Sequence, residues 1–511
     1  MGRLSLIVCA VLGTGCAQIL GLDTTTGATP VTPDAPAGTV NLQVVRRSLG
    51  ATIVDNPAVL TGLPMASWLV DDGAGGYTRV PATLLGTDTW EGAIPTGTPA
   101  VEFTMGSDYP DEYRRMIAID QRNLKFLYAI DEHPNPQPIP MPAESFSLTM
   151  SFPNPYMAGD SFYAEVIGGW AYHPFFNGSE GASVPMTPVA SFTLNETYTP
   201  YDGTSGAGFV PWSGRPLDAI TMGDTMVGLH YRGSQLLDAG QFPAFAEPGA
   251  PSTLSVSMTA LTTAALDVTV HPTTVATRLN ATRPAGGGTA MSWSVVAAPG
   301  YQTANGIGPT LNSGSITTAS PMAITAPYGN PFASRNWPAM FSWVSSNNRS
   351  VTITGGGTAY TATSGGLQDF AVVGAGLDLA TPAPLPITIS INGTALVTDN
   401  MTVALDLTKN VTLALDQDTN DPVTLYQFNV YNMVLDPMTN AWGAHPVYVA
   451  MTTAKSVAIP NDVFVAGKTY MIRGHCLVNG FPGLATGDFT QRQLPLSLGY
   501  LDGGIFTVTA Q

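Results

Sequence analysis

From Val40 to the C-terminus, apolar residues alternate with polar ones or run for roughly four to eight positions, and Gly, Pro, Asn or Asp cuts each run. A period of two sends successive side chains to opposite faces of a strand, whereas a helix needs apolar residues three and four apart. Sustained helical spacing is almost absent. Tyr109 to Leu127 is the one segment with room for a short helix, and Phe242 to Phe245 sits in a Pro-rich loop. The chain carries 54 Gly and 42 Pro, the residues that tight turns between many short strands require. The expected fold class is therefore all-β, with tandem β-sandwich domains. At 511 residues the chain exceeds what one core supports, and it divides into 39–185, 186–385 and 386–511. The first is read as a β-sandwich and the second as a β-sandwich or β-barrel. The tracts Gly286 to Gly288 and Gly355 to Gly357 read as hairpin turns.

Hydrophobic residues make up 44% of the chain and charged ones only 11%, yet no apolar run of about 18 residues follows the N-terminus, so no transmembrane helix is expected there. Disorder would need fewer apolar residues and a larger charge density. The net charge is −17, and the lysines are Lys125, Lys409, Lys455 and Lys468. Nucleic acid is not an expected partner, because counterion release needs clustered cations; Arg46 with Arg47 and Arg114 with Arg115 are isolated pairs.

Arg3, the apolar stretch Leu4 to Leu12, and then Gly13, Thr14, Gly15 and Cys16 follow the charge, core and cleavage-site order of a secretory leader. Residues 1–15 are then removed. A cysteine after small residues at this distance resembles the lipobox of bacterial lipoproteins, in which diacylglycerol is attached to the thiol and the freed amine is acylated. The resemblance implies a lipid on Cys16, with membrane as a partner. Gly13 stands where that family usually has Leu, Val or Ile, and cleavage after Ala17, which would release a soluble product, is the alternative. Cys9 lies in the leader and only Cys476 in the body, so Cys16 has no disulfide to serve. By the family's sorting preference, Ala17 after the cysteine points to the outer membrane. Residues 16–38 then comprise the anchor and a flexible tether, polar and broken by Pro30, Pro33 and Pro36.

In the last segment Tyr426, Phe428 and Val430 alternate with Gln427 and Asn429, which gives one buried and one wet face. Tyr470, Ile472, Gly474, Cys476 and Val478 form a second inward set. Phe464, Ala466, Gly467 and Tyr470 resemble the corner of fibronectin type III and related immunoglobulin-like sandwiches, which implies that the Tyr470 hydroxyl bonds back to the preceding loop. The resemblance extends to Val411 to Leu415 as a B-type strand, Tyr426 to Tyr431 as a C-type strand and Ile505 to Thr509 as the closing strand. Leu415 replaces a frequent Trp, and 479–503 is long for a final loop.

No Gly-x-Ser-x-Gly, His-Glu-x-x-His or phosphate-binding loop occurs, and the six histidines are dispersed. No catalytic residue is nominated. His475 and Cys476 are neighbours on a strand and point to opposite faces, so Cys476 reads as a small buried hydrophobe. Asp416, Asp418, Asn420 and Asp421 have the alternating spacing of a calcium loop, although an Asp- and Asn-rich solvated turn accounts for them more simply. No other cofactor is expected. Trp170 and Tyr172, in a stretch with His173, Phe175 and Phe176, offer a stacking platform for a glycan, set against a core role. Asp108, Asp111 and Glu112, with Asp131 and Glu132, are the carboxylates from which a polysaccharide hydrolase would draw its acid and base. The resulting expectation is a cell-envelope lipoprotein whose β-modules form a non-enzymatic binding or scaffolding surface for a protein or glycan. The alternative is an anchored polysaccharide hydrolase using loop carboxylates.

Overall fold

The computed structural model describes residues 39–49, 53–57, 66–85, 89–93, 100–104, 114–119, 121, 123–131, 144–166, 188–198, 225–243, 252–282, 289–297, 309–317, 321–380, 383–491 and 493–511. Among them the chain is strand after strand, and the sheets pack in layers as the period of two requires.

One sheet of 14 strands organises the molecule. Its main path runs through Thr310–Ser315, Thr289–Ala297, Ala339–Val351, Tyr360–Val372, Leu496–Asp502, Thr469–Asn479, Leu425–Asp436, Ala441–Thr452, Arg114–Ala118, Ala100–Thr104, Ala66–Asp71 and Tyr77–Pro81. Two seams link distant parts of the chain. Tyr360–Val372 pairs antiparallel with Leu496–Asp502, from Gly366 opposite Tyr500 to Phe370 opposite Leu496. Ala441–Thr452 pairs parallel with Arg114–Ala118, from Tyr448 opposite Arg114 to Thr452 opposite Ala118. Gly366 is needed at the first seam, because a Cβ there would lie 2.2 Å from the Tyr500 ring.

The last segment is a two-layer sandwich. Its second sheet, Thr394–Ala395, Pro386–Ile391, Val411–Gln417 and Ser456–Ile459, covers the long sheet with Ile389, Ile391, Leu413 and Leu415. These side chains meet Phe428, Val430, Ile472 and Cys476 from the long sheet in one core. The corner implied by the sequence is present: the Val465 amide donates to the Tyr470 hydroxyl at 3.0 Å, and Phe464 meets the Tyr470 ring edge-on at 5.1 Å. The segment read as a long final loop contains the strand Leu496–Asp502. This strand and Phe506–Ala510 both pair with Thr469–Asn479, and the register slips by one residue between them. Val478, expected inward, is only half-buried, while Met471 and Leu477 on the opposite face are buried. Both faces of this strand are covered, so a simple alternation of inward and outward positions fails.

The cover on the Leu477 side comes from the first segment. Leu42, Trp68, Phe103 and Phe126 pack with Leu425, Val449, Met451 and Leu477 in a core shared between the two ends of the chain. Arg114–Ala118 and Asn123–Asp131 are strands, which corrects the helix expected over Tyr109 to Leu127. Each gains a parallel partner distant in sequence, and this pairing overrides local propensity. The observed helix is Pro272–Thr282. Its Thr and Asn content makes it a poor isolated helix, but Pro272 suits the first turn and Val275 and Leu279 form one buried stripe. Phe242, expected in a loop, lies in the strand Gln235–Pro243. Gly355 to Gly357 turn the chain between Ala339–Val351 and Tyr360–Val372, with φ of 117°, 99° and 83°.

The corner makes a direct prediction. Tyr470→Phe keeps the ring packing and removes the acceptor of the Val465 amide, and is expected to lower stability by about 1 kcal/mol. Thermal unfolding measures it, and an unchanged transition would contradict the role of the corner.

Candidate functional site

Next to the edge strand Thr310–Ser315 of the long sheet, two adjacent strands carry the sequences Ser292-Trp293-Ser294 and Ser342-Trp343-Val344. Alternation turns the two tryptophans, paired opposite each other, into the core with Phe341, Val295 and Leu311. The serines are left on the other face. Ser292 lies opposite Ser315 on one side and Val344 on the other, while Ser294 lies opposite Ser313 and Ser342. The strands are held by their core face, so the polar face is laid out in two rows across three strands. Neighbouring positions in a row are about 4.8 Å apart, and the rows are separated by about 7 Å.

These residues floor an open pocket of about 440 Å³, with Ser234 and Trp293 at its margin. On the opposite, core face the Trp293 indole covers Gly314, where a Cβ would approach Nε1 to 2.8 Å. None of the lining side chains is titratable. Ser342, 6% exposed, is among the lining residues. The wall is fixed: Ser234 Oγ donates to Asn312 Oδ1 at 3.2 Å, and Asn312 Nδ2 donates to the Pro327 carbonyl at 2.7 Å. Beneath the floor the Trp343 indole donates to Asp369 Oδ2 at 2.6 Å. Burial pushes the Asp369 carboxyl up to about 6, against hydrogen bonds from Ser497 and Trp343 that favour its charge.

The closest acid–base constellation lies elsewhere and is sealed. His230 Nδ1 is 2.7 Å from Asp238 Oδ2, and Nε2 is 2.9 Å from Asp160 Oδ2. Asp160 also receives Arg232 at 3.0 and 2.9 Å, and Asp238 Oδ1 receives Asn154 at 2.6 Å. His230 and Asp238 are 0% exposed, and the Phe152 and Tyr156 rings close over the imidazole. Burial alone would raise the Asp160 carboxyl, but hydrogen bonds from Arg232 and His230 outweigh it and hold it below its ordinary value. With no access for a substrate, this network serves the fold.

Of the residues singled out in the sequence, Cys16, Asp108, Asp111, Glu112, Glu132, Trp170, Tyr172, His173, Phe175 and Phe176 lie outside the described residues. Asp131 ends the strand Asn123–Asp131. Asp416, Asn420 and Asp421 are exposed, whereas Asp418 accepts Arg278 at 2.8 and 3.0 Å and the Leu385 amide at 2.8 Å. Both oxygens of Asp418 are thus committed to joining the turn to the helix Pro272–Thr282. Among the described residues no group of three or more His, Cys, Asp or Glu gathers as a metal would require. Cys476 is in the sandwich core, and burial raises its thiol to about 12. His475, across the sheet and stacked on Tyr500, is pushed down to about 3 by burial and by Arg473. A protonated thiol and a neutral imidazole on opposite faces make no nucleophile and base. The serine floor had a sequence signal, the Ser-Trp-Ser alternation, which composition alone concealed. The His230 network had only a short hairpin between His230 and Asp238 to mark it.

No family model and no curated protein matches the chain. Solved structures align only loosely. The N-terminal four Ig domains of Dscam1 isoform 4.4 align over 93% of this chain and 100% of that one, at 8% identity and a TM-score of 0.11. A tetra-tandem repeat from the extending region of a large adhesion protein aligns over 86% and 95%, at 8% identity and a TM-score of 0.10. The native alpha-2-macroglobulin of E. coli aligns over 81% of this chain and 31% of its own, at 8% identity and a TM-score of 0.12.

Two variants test the assignment of the sealed network to stability. Asp238→Ala leaves His230 and Asn154 buried without a partner and is expected to cost about 3–5 kcal/mol. A carboxyl held low in the fold contributes stability that is complete above its ordinary range and is lost as pH falls through its folded value. The stability difference between the natural protein and Asp160→Asn should therefore be largest at neutral pH and shrink in acid. A difference that is flat with pH, measured by urea unfolding, would contradict this.

Proposed function

We propose that this chain is a cell-envelope lipoprotein, anchored through Cys16 at the bacterial outer membrane, whose β-modules present a non-enzymatic binding or scaffolding surface to a protein or glycan. The observation that carries the binding role is the open pocket on the long sheet: it offers serine hydroxyls but no titratable side chain for acid–base chemistry. A rigid sheet is a suitable support for such a surface, since its strands are fixed on their core face.

The anchor is argued from the sequence. Each buried CH₂ of an acyl chain contributes about 0.8 kcal/mol, and a multiply acylated cysteine exceeds the two-signal threshold for stable attachment. The Pro-broken stretch from Gly21 to Gly38 would then span roughly 55 Å if extended, enough to lift the first strands off the lipid surface.

Cell fractionation with intact-mass analysis tests the location. The natural protein is expected in the membrane fraction with a mature mass that includes the lipid, and Cys16→Ala in the soluble fraction without it. A variant that stays membrane-bound with unchanged mature mass would overturn the anchor. Release of reducing ends from polysaccharide by the purified protein would overturn the non-enzymatic role in favour of a hydrolase.

A further inference from the structure

We infer that Asp369 is a proton-operated latch at the antiparallel seam of the long sheet: uptake of a proton by its buried carboxyl stabilises the join between Tyr360–Val372 and Leu496–Asp502, and loss of that proton weakens it. Such a latch acts on how the sheet is held together and is independent of what its surface binds.

Asp369 lies opposite Trp343 on one neighbouring strand and Ser497 on the other, and residues so paired share a face of the sheet. It is 4% exposed. The Trp343 indole donates to Oδ2 at 2.6 Å, and the Ser497 hydroxyl donates to Oδ1. Both donors are neutral, and among the described residues no Arg, Lys or His forms an ion pair with this carboxyl. The other face of the ladder is dry as well, because Phe370, paired with Leu496, packs on Met340. A carboxylate in such a place gives up its hydration without gaining a counter-charge, which two neutral hydrogen bonds do not restore. The neutral acid is the form the site favours. Ser497 suits both forms, since a hydroxyl donates to a carboxylate and accepts from an acid.

The charged groups on the elements around Asp369 are engaged elsewhere. Arg278, from the helix Pro272–Thr282, is held by Asp418 at 2.8 and 3.0 Å and favours the charge of Asp369 only through space. Arg349, six residues from Trp343 on Ala339–Val351, pairs with Asp399 at 3.1 Å. Asp502 lies on the other face of Leu496–Asp502 from Ser497 by alternation and pairs with Arg473 at 2.6 Å. His475, on the strand beyond, stacks on Tyr500.

The direction of the switch follows from the burial. The carboxyl, ordinarily at 3.8, is pushed up to about 6, so the folded chain holds this proton more tightly than the unfolded chain does. Its stabilisation is complete below the ordinary value and is lost as pH rises through the folded one. Two other kinds of group change with acid and must be separated from it. Carboxyls held low, such as Asp160, respond only in stronger acid. His475 acts in the opposite sense: burial and Arg473 push it down to about 3, so its contribution falls as pH drops below the usual imidazole range. A comparison of two proteins that differ only at residue 369 cancels both.

The test uses the full-length protein and Asp369→Asn, which keeps an acceptor for Trp343 and removes the charge. Urea unfolding is followed from about pH 4 to pH 8, and the ratio of the unfolding constant of the natural protein to that of the variant is expected to rise at least about tenfold over that range. Carbon NMR of the side-chain carboxyls should show one group titrating near pH 6 that is absent from Asp369→Asn, with the Trp343 indole proton shifting at the same midpoint because it donates to that carboxyl. Ser497→Ala is the second variant: it removes a donor to the charged form, so the midpoint should move to higher pH. A ratio that is flat with pH, or no carboxyl titrating well above the ordinary range, overturns the latch. A Trp343 indole indifferent to the titration, or a midpoint unmoved in Ser497→Ala, overturns its assignment to the seam.

Discussion

The backbone ladder between Tyr360–Val372 and Leu496–Asp502 is the contact on which the rest of the architecture depends. It joins the serine-bearing edge to the C-terminal sandwich, and the Arg278–Asp418 pair and the core of Val351, Ala362, Met433 and Met471 reinforce it. With it, hydrogen bonding continues from Thr310–Ser315 to Tyr77–Pro81 through one sheet. The ladder tolerates only a narrow choice of side chains, since the Tyr500 ring lies where a Cβ on Gly366 would be. The parallel seam at Arg114–Ala118 completes the connection, and the core shared by Phe103, Trp68, Val449 and Met451 buries it.

The strand pattern was legible wherever one face of a sheet is wet and the other dry. Tyr426, Phe428 and Val430 entered the core as their alternation indicated, and the Phe464 to Tyr470 corner formed because its contacts lie within seven residues of chain. Legibility failed where partners are distant. Arg114–Ala118 and Asn123–Asp131 owe their extended form to parallel neighbours that no local window contains. Pro272–Thr282 is helical because Val275 and Leu279 find a core, not because Thr and Asn favour a helix. The strand Leu496–Asp502 follows a stretch of turns, which disguised it as part of a loop.

The candidate site shows the same division. Its residues are ordinary serines, and their meaning comes from a register that brings Ser313, Ser294 and Ser342 into line across three strands. Titratable residues, which attract attention in a sequence, were absorbed by structure instead. Asp418 ties a turn to a helix through Arg278, and His230 is locked between Asp160 and Asp238. These charges serve as internal ties, and the serine-floored pocket has no charged side chain in its lining.

Continuity of the sheet is the central physical claim, and native-state hydrogen exchange resolved by residue tests it most directly. One sheet predicts that the ladder amides of Gly366–Phe370, of Leu496–Tyr500 and of Tyr448–Thr452 exchange together in the slowest class, opening only with global unfolding. Fast exchange at either seam, on the timescale of exposed turns such as Gly355 to Gly357, would contradict it.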